Sequence, residues 1–420
     1  MQVIQQTGML APYRILDLTN EMGLMCGKLL GDLGADVIKI EKPGGDDARR
    51  IGPFYRDEVD PEKSLYWFAL NTSKRGITLD IETAEGKEIF KKLVKVSDAV
   101  VESFAPGHMD EIGLGYDALC KENPDIIVTS ITPFGPAGPY KDFKASDITL
   151  WALSGLSFIC GDPDRPPLRI SLPQSFFHAG ADAATGTVMA LYHRGVSGEG
   201  QHVHVSILKA MERVAYTAHT LWDGRAKILR RPGSALKIPP LGTTTPVVWS
   251  CRDGYVAFYL FGGNMGAVSN PALTRWMDEE GLATDVMKGM DWRKFDIGRT
   301  PQDEIDRHIV QPISRFFRNH TQEELWKEGV RRRVMVYPIY DARGVLENEH
   351  LRERRFWVEL EHSPLDHSIT YPGPFIRTDK KLCRVRCRAP LIGEHNSEIY
   401  EKELRISRNE LEALSIAGII

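Results

Sequence analysis

The 420 residues exceed one ordinary domain, and an apolar content of 42% is enough for a full core, so two domains or one large interleaved unit are expected. Lys and Arg number 53 against 57 Asp and Glu, a net charge of −4 without a basic block, which argues against nucleic acid as a partner. No apolar run approaches the roughly 18 residues of a membrane span, and the first residues lack a charged stretch followed by an apolar one; the expectation is a cytoplasmic protein without membrane contact.

Residues 13–18 form a short apolar strand, 28–33 a helical pattern and 34–41 a second strand rich in Val and Ile. Strand, helix and strand with short joints make a βαβ unit, which implies a parallel sheet and a Rossmann-like start. The dinucleotide fingerprint G-x-G-x-x-G does not follow the first strand. Thr19-Asn20-Glu21-Met22-Gly23 stands there instead, so NAD is not expected. Lys74 and Arg75 are cations that can meet phosphates or form a solvated turn, and Phe104 can lie against an adenine. An amphipathic helix over 83–96, a strand over 98–102, a buried strand over 123–131 and a rigid loop over 134–140 follow.

Next come a helix, a glycine turn and a strand. Pro173 and Ser175 mark the helix start, with Ser175 the expected N-cap, and Ala179, Gly180, Ala183, Ala184 and Gly186 allow close packing. Gly198-Glu199-Gly200 is the turn, and residues 201–206 alternate as a strand. The chain leaves its first domain around 209–222, turns at 230–233 and enters a second domain through a hairpin over 251–260. Phe261-Gly262-Gly263-Asn264 reads as a turn or a covering loop. Helices over 301–317 and 321–329 and a strand over 334–340 follow, then a closing helix over 411–420. Cys383 and Cys387 would share one face of a strand as reduced structural thiols, in preference to a metal or disulfide pair. The expected domains are 1–215, 216–335 and a return over 336–420.

Several of these segments together resemble the family III CoA-transferases. Gly34-Ala35-Asp36-Val37-Ile38-Lys39-Ile40-Glu41, Pro43, Gly45, Asp46 and Arg49 resemble the family's opening. Gly180, Ala190-Leu191, Arg194 and Gly198-Glu199-Gly200-Gln201 fall in register with its central motif, and Ala389-Pro390-Leu391-Ile392-Gly393-Glu394-His395-Asn396 with its tail. The resemblance spans nearly the whole chain. It implies an α/β fold, with a Rossmann-like parallel-sheet large domain and a smaller α+β domain in an interlocked dimer. It also implies that 334–340 returns to the large domain, and that Lys42, Asn71, Lys74, Arg75, Phe104 and Gly107 are CoA contacts.

In that family an Asp four residues before the Gly attacks an acyl-CoA thioester, and CoA passes to an incoming carboxylate. Phe176 occupies that position here, and a phenyl ring has neither a nucleophilic atom nor a titrating group. Asp182 lies six positions on and points about 120° away around the helix; His178 reads as a packing or capping residue. Three readings follow. The first is a non-catalytic subunit paired with a homologous Asp-bearing chain, in a transferase moving CoA from succinyl-CoA to an aromatic dicarboxylate such as benzylsuccinate, a step of anaerobic toluene degradation. The others are a homodimeric transferase or racemase using Asp182, and an acyl-CoA-binding or regulatory protein without turnover. No permanent cofactor or metal is expected, and the CoA thioester is a substrate held by this chain or by its partner.

Overall fold

A computed structural model describes residues 8–420. They divide into two compact units: one of residues up to 157 with 169–226 and 352–420, the other of 158–168 with 227–351.

The first unit is built on a six-stranded sheet of β1 (Arg14–Leu18), β2 (Asp36–Glu41), β3 (Lys74–Thr78), β4 (Ala99–Glu102), β5 (Ile127–Thr132) and β6 (His202–Ser206). Every pairing is parallel, and the spatial order is β3-β2-β1-β4-β5-β6. This is the doubly wound order, in which the chain reverses direction across the sheet between β1 and β4. Strands β2, β4 and β5 are buried along their whole length, as expected of parallel strands covered on both faces.

One face carries the helix Leu24–Asp32 and a long helix, Gln174–Ser197, over a core that includes Ile15, Val37, Val101, Ile131 and Ala183. Small residues set the approach of these two helices. A Cβ on Gly180 would stand 2.7 Å from that of Met25. The long helix ends at Gly198, whose φ of 77° forms a left-handed cap. The other face is covered by the helices Ala84–Val94, Tyr116–Glu122 and Arg408–Ile416.

Residues far along the chain close the β3 side. Arg75 grips Asp36 through two nitrogens at 2.9 and 2.6 Å and reaches Glu398 and Glu403 at 2.7 and 2.6 Å, while Arg14 meets Glu403 at 2.9 Å. The segment with Cys383 and Cys387 is not a strand. Its backbone bonds irregularly instead, Arg384 N–H to the Asp32 carbonyl and Arg386 N–H to Ser73 Oγ, which leaves Cys383 buried and Cys387 exposed.

The second unit holds an antiparallel hairpin, β7 (Ala235–Ile238) and β8 (Thr243–Pro246), and a three-stranded sheet of β9 (Val248–Cys251), β10 (Gly254–Phe258) and β11 (Val336–Pro338). The strand expected to return to the large domain is therefore β11 of this sheet. Val256 and Phe258 of β10 face the core that buries Val336, and this shared burial holds β11 there. Aromatic edge contacts among Trp249, Phe258 and Phe317 fill that core.

Candidate active site

In an open α/β sheet the ligand crevice lies beyond the carboxyl ends of the strands, where their order reverses. Here that point lies between β1 and β4, and the loops leaving them are tied together. Asn20 N–H donates to Ser103 Oγ at 2.8 Å, and Ser103 returns a bond to Asn20 Oδ1 at 2.8 Å. A cavity of about 370 Å³ opens beside this clasp, lined by Leu18, Asn20, Lys42, Asp46, Leu79 and Phe104.

Two sequence-predicted contacts therefore come together. Phe104 supplies a half-buried ring whose backbone N–H donates to Glu102 Oε2 at 2.7 Å. Lys42 is exposed and pairs with Glu82 at 2.9 Å, and both line the cavity. The loop bearing Lys42 is anchored from beneath. Arg49 holds Glu41 at 2.6 and 2.8 Å, donates to the Pro390 carbonyl at 3.0 Å and lies 4.0 Å above the Trp67 ring.

Asn71, Lys74 and Arg75 are not brought to this cleft. Lys74 is buried, its Nζ bonded to Asp17 Oδ2 at 2.8 Å, Asn71 Oδ1 at 2.8 Å and the Leu24 carbonyl at 3.0 Å. Burial works against the ionised form of Asp17, but Lys74 and Lys39 outweigh it and hold the carboxyl below its ordinary range. Asn71 also donates to the Trp67 carbonyl at 3.2 Å. These groups support the first turn after β1 from below, and Arg75 performs the sheet-edge role described above.

Gly107, with φ 88°, caps the short helix His108–Glu111 and lines a second cavity of about 280 Å³. Glu102, Ser130 and His202 meet there, Ser130 Oγ lying 2.8 Å from His202 Nε2. Burial pushes the Glu102 carboxyl up to about 7, and burial together with His204 draws His202 down to about 4. The sequence reading placed Glu102 at the end of a strand, at the head of the stretch holding Phe104 and Gly107, but gave it no role of its own; only the fold shows that it is buried.

The start of the long helix is different. Its N-cap is Pro173, and Ser175, expected there, lies inside the first turn. Asp147 accounts for the shift: its Oδ1 accepts from Ser175 N–H at 3.0 Å and from Ser175 Oγ at 2.7 Å, so a carboxylate from a neighbouring helix caps this end. Phe176 follows, 6% exposed, in the core with Ile131, Leu150 and Ala179. Phe177 turns instead towards Leu24, Trp67 and Phe68. Asp182 lies farther along, half-buried and ion-paired to Arg213, and His178 is half-buried. The cavity beside the clasp is bordered by Lys42 and by the acids Glu41, Asp46, Asp47 and Glu82, and the Phe176 ring itself carries no group for covalent or acid–base chemistry.

The sequence profile described as CoA-transferase family III matches residues 10–396. The chain is 34% identical to succinyl-CoA:(R)-benzylsuccinate CoA-transferase subunit BbsE of Thauera aromatica, over 92% of each chain. It is 30% identical to the succinyl-CoA–D-citramalate CoA-transferase of Chloroflexus aurantiacus, over 97% of each. Among solved structures, a CAIB/BAIF family protein from Brucella suis superposes with a TM-score of 0.80 at 26% identity, over 94% of this chain and 100% of that one.

Proposed function

The chain belongs to CoA-transferase family III, and on that premise we propose that it is the non-catalytic subunit of a heteromeric CoA-transferase moving CoA from succinyl-CoA to an aromatic dicarboxylate such as benzylsuccinate. The observation that carries this reading is the burial of Phe176 where the family's carboxylate is expected. A buried phenyl ring stabilises the fold by about 1.5–3 kcal/mol and gives the thioester nothing to react with. The similarity to a protein named as a subunit of a benzylsuccinate enzyme points the same way.

In this reading Lys42 and Phe104 touch the CoA nucleotide and Gly107 shapes the loop behind them. Asn71, Lys74 and Arg75 act as positioning residues that fix the strands and turns below. The partner is a homologous chain bearing the Asp. Large apolar side chains support such a partner: Met189, Tyr192 and Val196 on the long helix are 66%, 78% and 78% exposed, with Tyr216 and Trp222 on the helix Tyr216–Arg225 at 66% and 57%. Met189, Tyr192 and Val196 share one helix face, and an exposed apolar face of this kind suits association with another chain.

The test is CoA exchange between succinyl-CoA and benzylsuccinate, followed by mass spectrometry, with the chain alone and co-expressed with its Asp-bearing homologue. Silence alone and turnover in the pair is the expected result. Turnover by the isolated chain, lost on Asp182→Ala, would replace this reading with a homodimeric enzyme. Acyl-CoA binding without exchange in either sample would make the chain a binding protein.

A further inference from the structure

The second unit contains a cavity of about 430 Å³ between the helices Ser269–Glu279 and Asp285–Gly289 and the segment that follows them. Its lining includes Arg275, Met287, Met290, Trp292 and Arg293. The apolar part is fixed. Met287 and Trp292 are buried in the core of the unit, and Trp292 makes an edge contact with Phe295 at 5.4 Å between ring centres.

The charges at the rim do not cancel. Lys288 is engaged with Asp278 at 3.3 Å and Asp285 at 3.1 Å, and Asp291 faces Lys294 at 3.6 Å. Arg275 and Arg293 are exposed, and among the described residues neither guanidinium has an ion-pair partner. Two guanidiniums without ion-pair partners beside an apolar wall packed into the unit's core match an anion with an apolar body. A guanidinium meets a carboxylate through two parallel hydrogen bonds, and the indole and thioether groups suit a ring. A pocket of this size falls within the range of small-molecule sites.

We propose that this cavity binds an organic carboxylate with an aromatic body, separately from the CoA cleft and independently of the subunit role assigned above. The site has a route to the rest of the unit. The segment that carries Arg293 also supports the loop at Gly262 and Gly263: Gly263 N–H donates to the Phe295 carbonyl at 3.1 Å, and a Cβ on Gly262 would lie 2.5 Å from that oxygen. A ligand clamped by Arg293 restrains this segment and, through it, the glycine loop.

The experiment is fluorine NMR titration of 4-fluorophenylacetate into the full chain, with inorganic phosphate and CoA as competitors. Saturable binding is expected, weakened about tenfold by Arg275→Gln or Arg293→Gln and about a hundredfold by both, with CoA unable to displace the probe. Both arginines are exposed, so the variants leave the core intact. No saturable binding, undiminished binding in the double variant or displacement by CoA would each overturn the proposal. Equal competition by phosphate would reduce the site to a simple anion patch and remove the aromatic assignment.

Discussion

Two neighbouring regions of the first unit solve burial in opposite ways. Below the cleft, Asp17, Lys39 and Lys74 are charged and buried, each tied to a partner and to the turn after β1. At the start of the long helix, the ring of Phe176 is packed among aliphatic side chains. Buried ions impose geometry on whatever they touch, at the expense of stability if one partner is lost; a buried ring adds stability and imposes little. The first region thus carries the device that fixes geometry, and the second the one that adds stability.

The sharpest way to break this contrast is Lys74→Met. It removes Asp17's ion-pair partner and leaves the buried carboxylate only its Thr19 hydrogen bonds and the more distant Lys39, and urea denaturation should show a loss of about 3–5 kcal/mol. Phe176→Asp tests the other region by importing a carboxylate into an apolar seat. A loss of about 3–4 kcal/mol is expected from the missing ring and the unmatched charge, without CoA exchange by the isolated chain, assayed as above.

Glu102 sharpens the comparison from the side of pH. Its folded-state pKa, near 7, lies above the ordinary 4.5, so the folded chain holds a proton that the unfolded chain has released. Stability contributed by this group is therefore full below about pH 4.5 and declines as pH rises through 7, by roughly 3 kcal/mol at most. Denaturation midpoints from pH 5 to pH 8 should fall in the parent and lose that slope in Glu102→Gln. The smallest effect belongs to the cleft wall: Lys42→Ala and Phe104→Ala should each weaken CoA binding about tenfold by calorimetry, with little change in stability.

Much of the first unit was legible in the sequence, because runs such as Asp36–Glu41 and the Gly180 to Gly200 region carry their burial and close packing in residue type. Arg194 was also found, and its place is structural, bonding Asp98 Oδ1 at 2.6 Å and the Asp125 carbonyl at 3.2 Å. Phe176 could be placed by register alone. What remained hidden depends on contacts distant in the chain. Asp147 displaced Ser175 from the cap position, and Lys74 and Arg75, cations in a turn-like stretch, proved to be engaged with acids that no local pattern connects to them. The fate of β11 was equally nonlocal, since its pairing with β10 spans the helices between them.

The grip of Arg14 and Arg75 on Glu398 and Glu403 also bears on the order of events during synthesis. These acids leave the ribosome only after the whole of 227–351 has emerged, so the first unit waits, with its β3 edge unfinished, while the second has all its residues available. A nascent chain stalled at residue 390 should therefore resist protease across its middle and remain open to cleavage at its beginning.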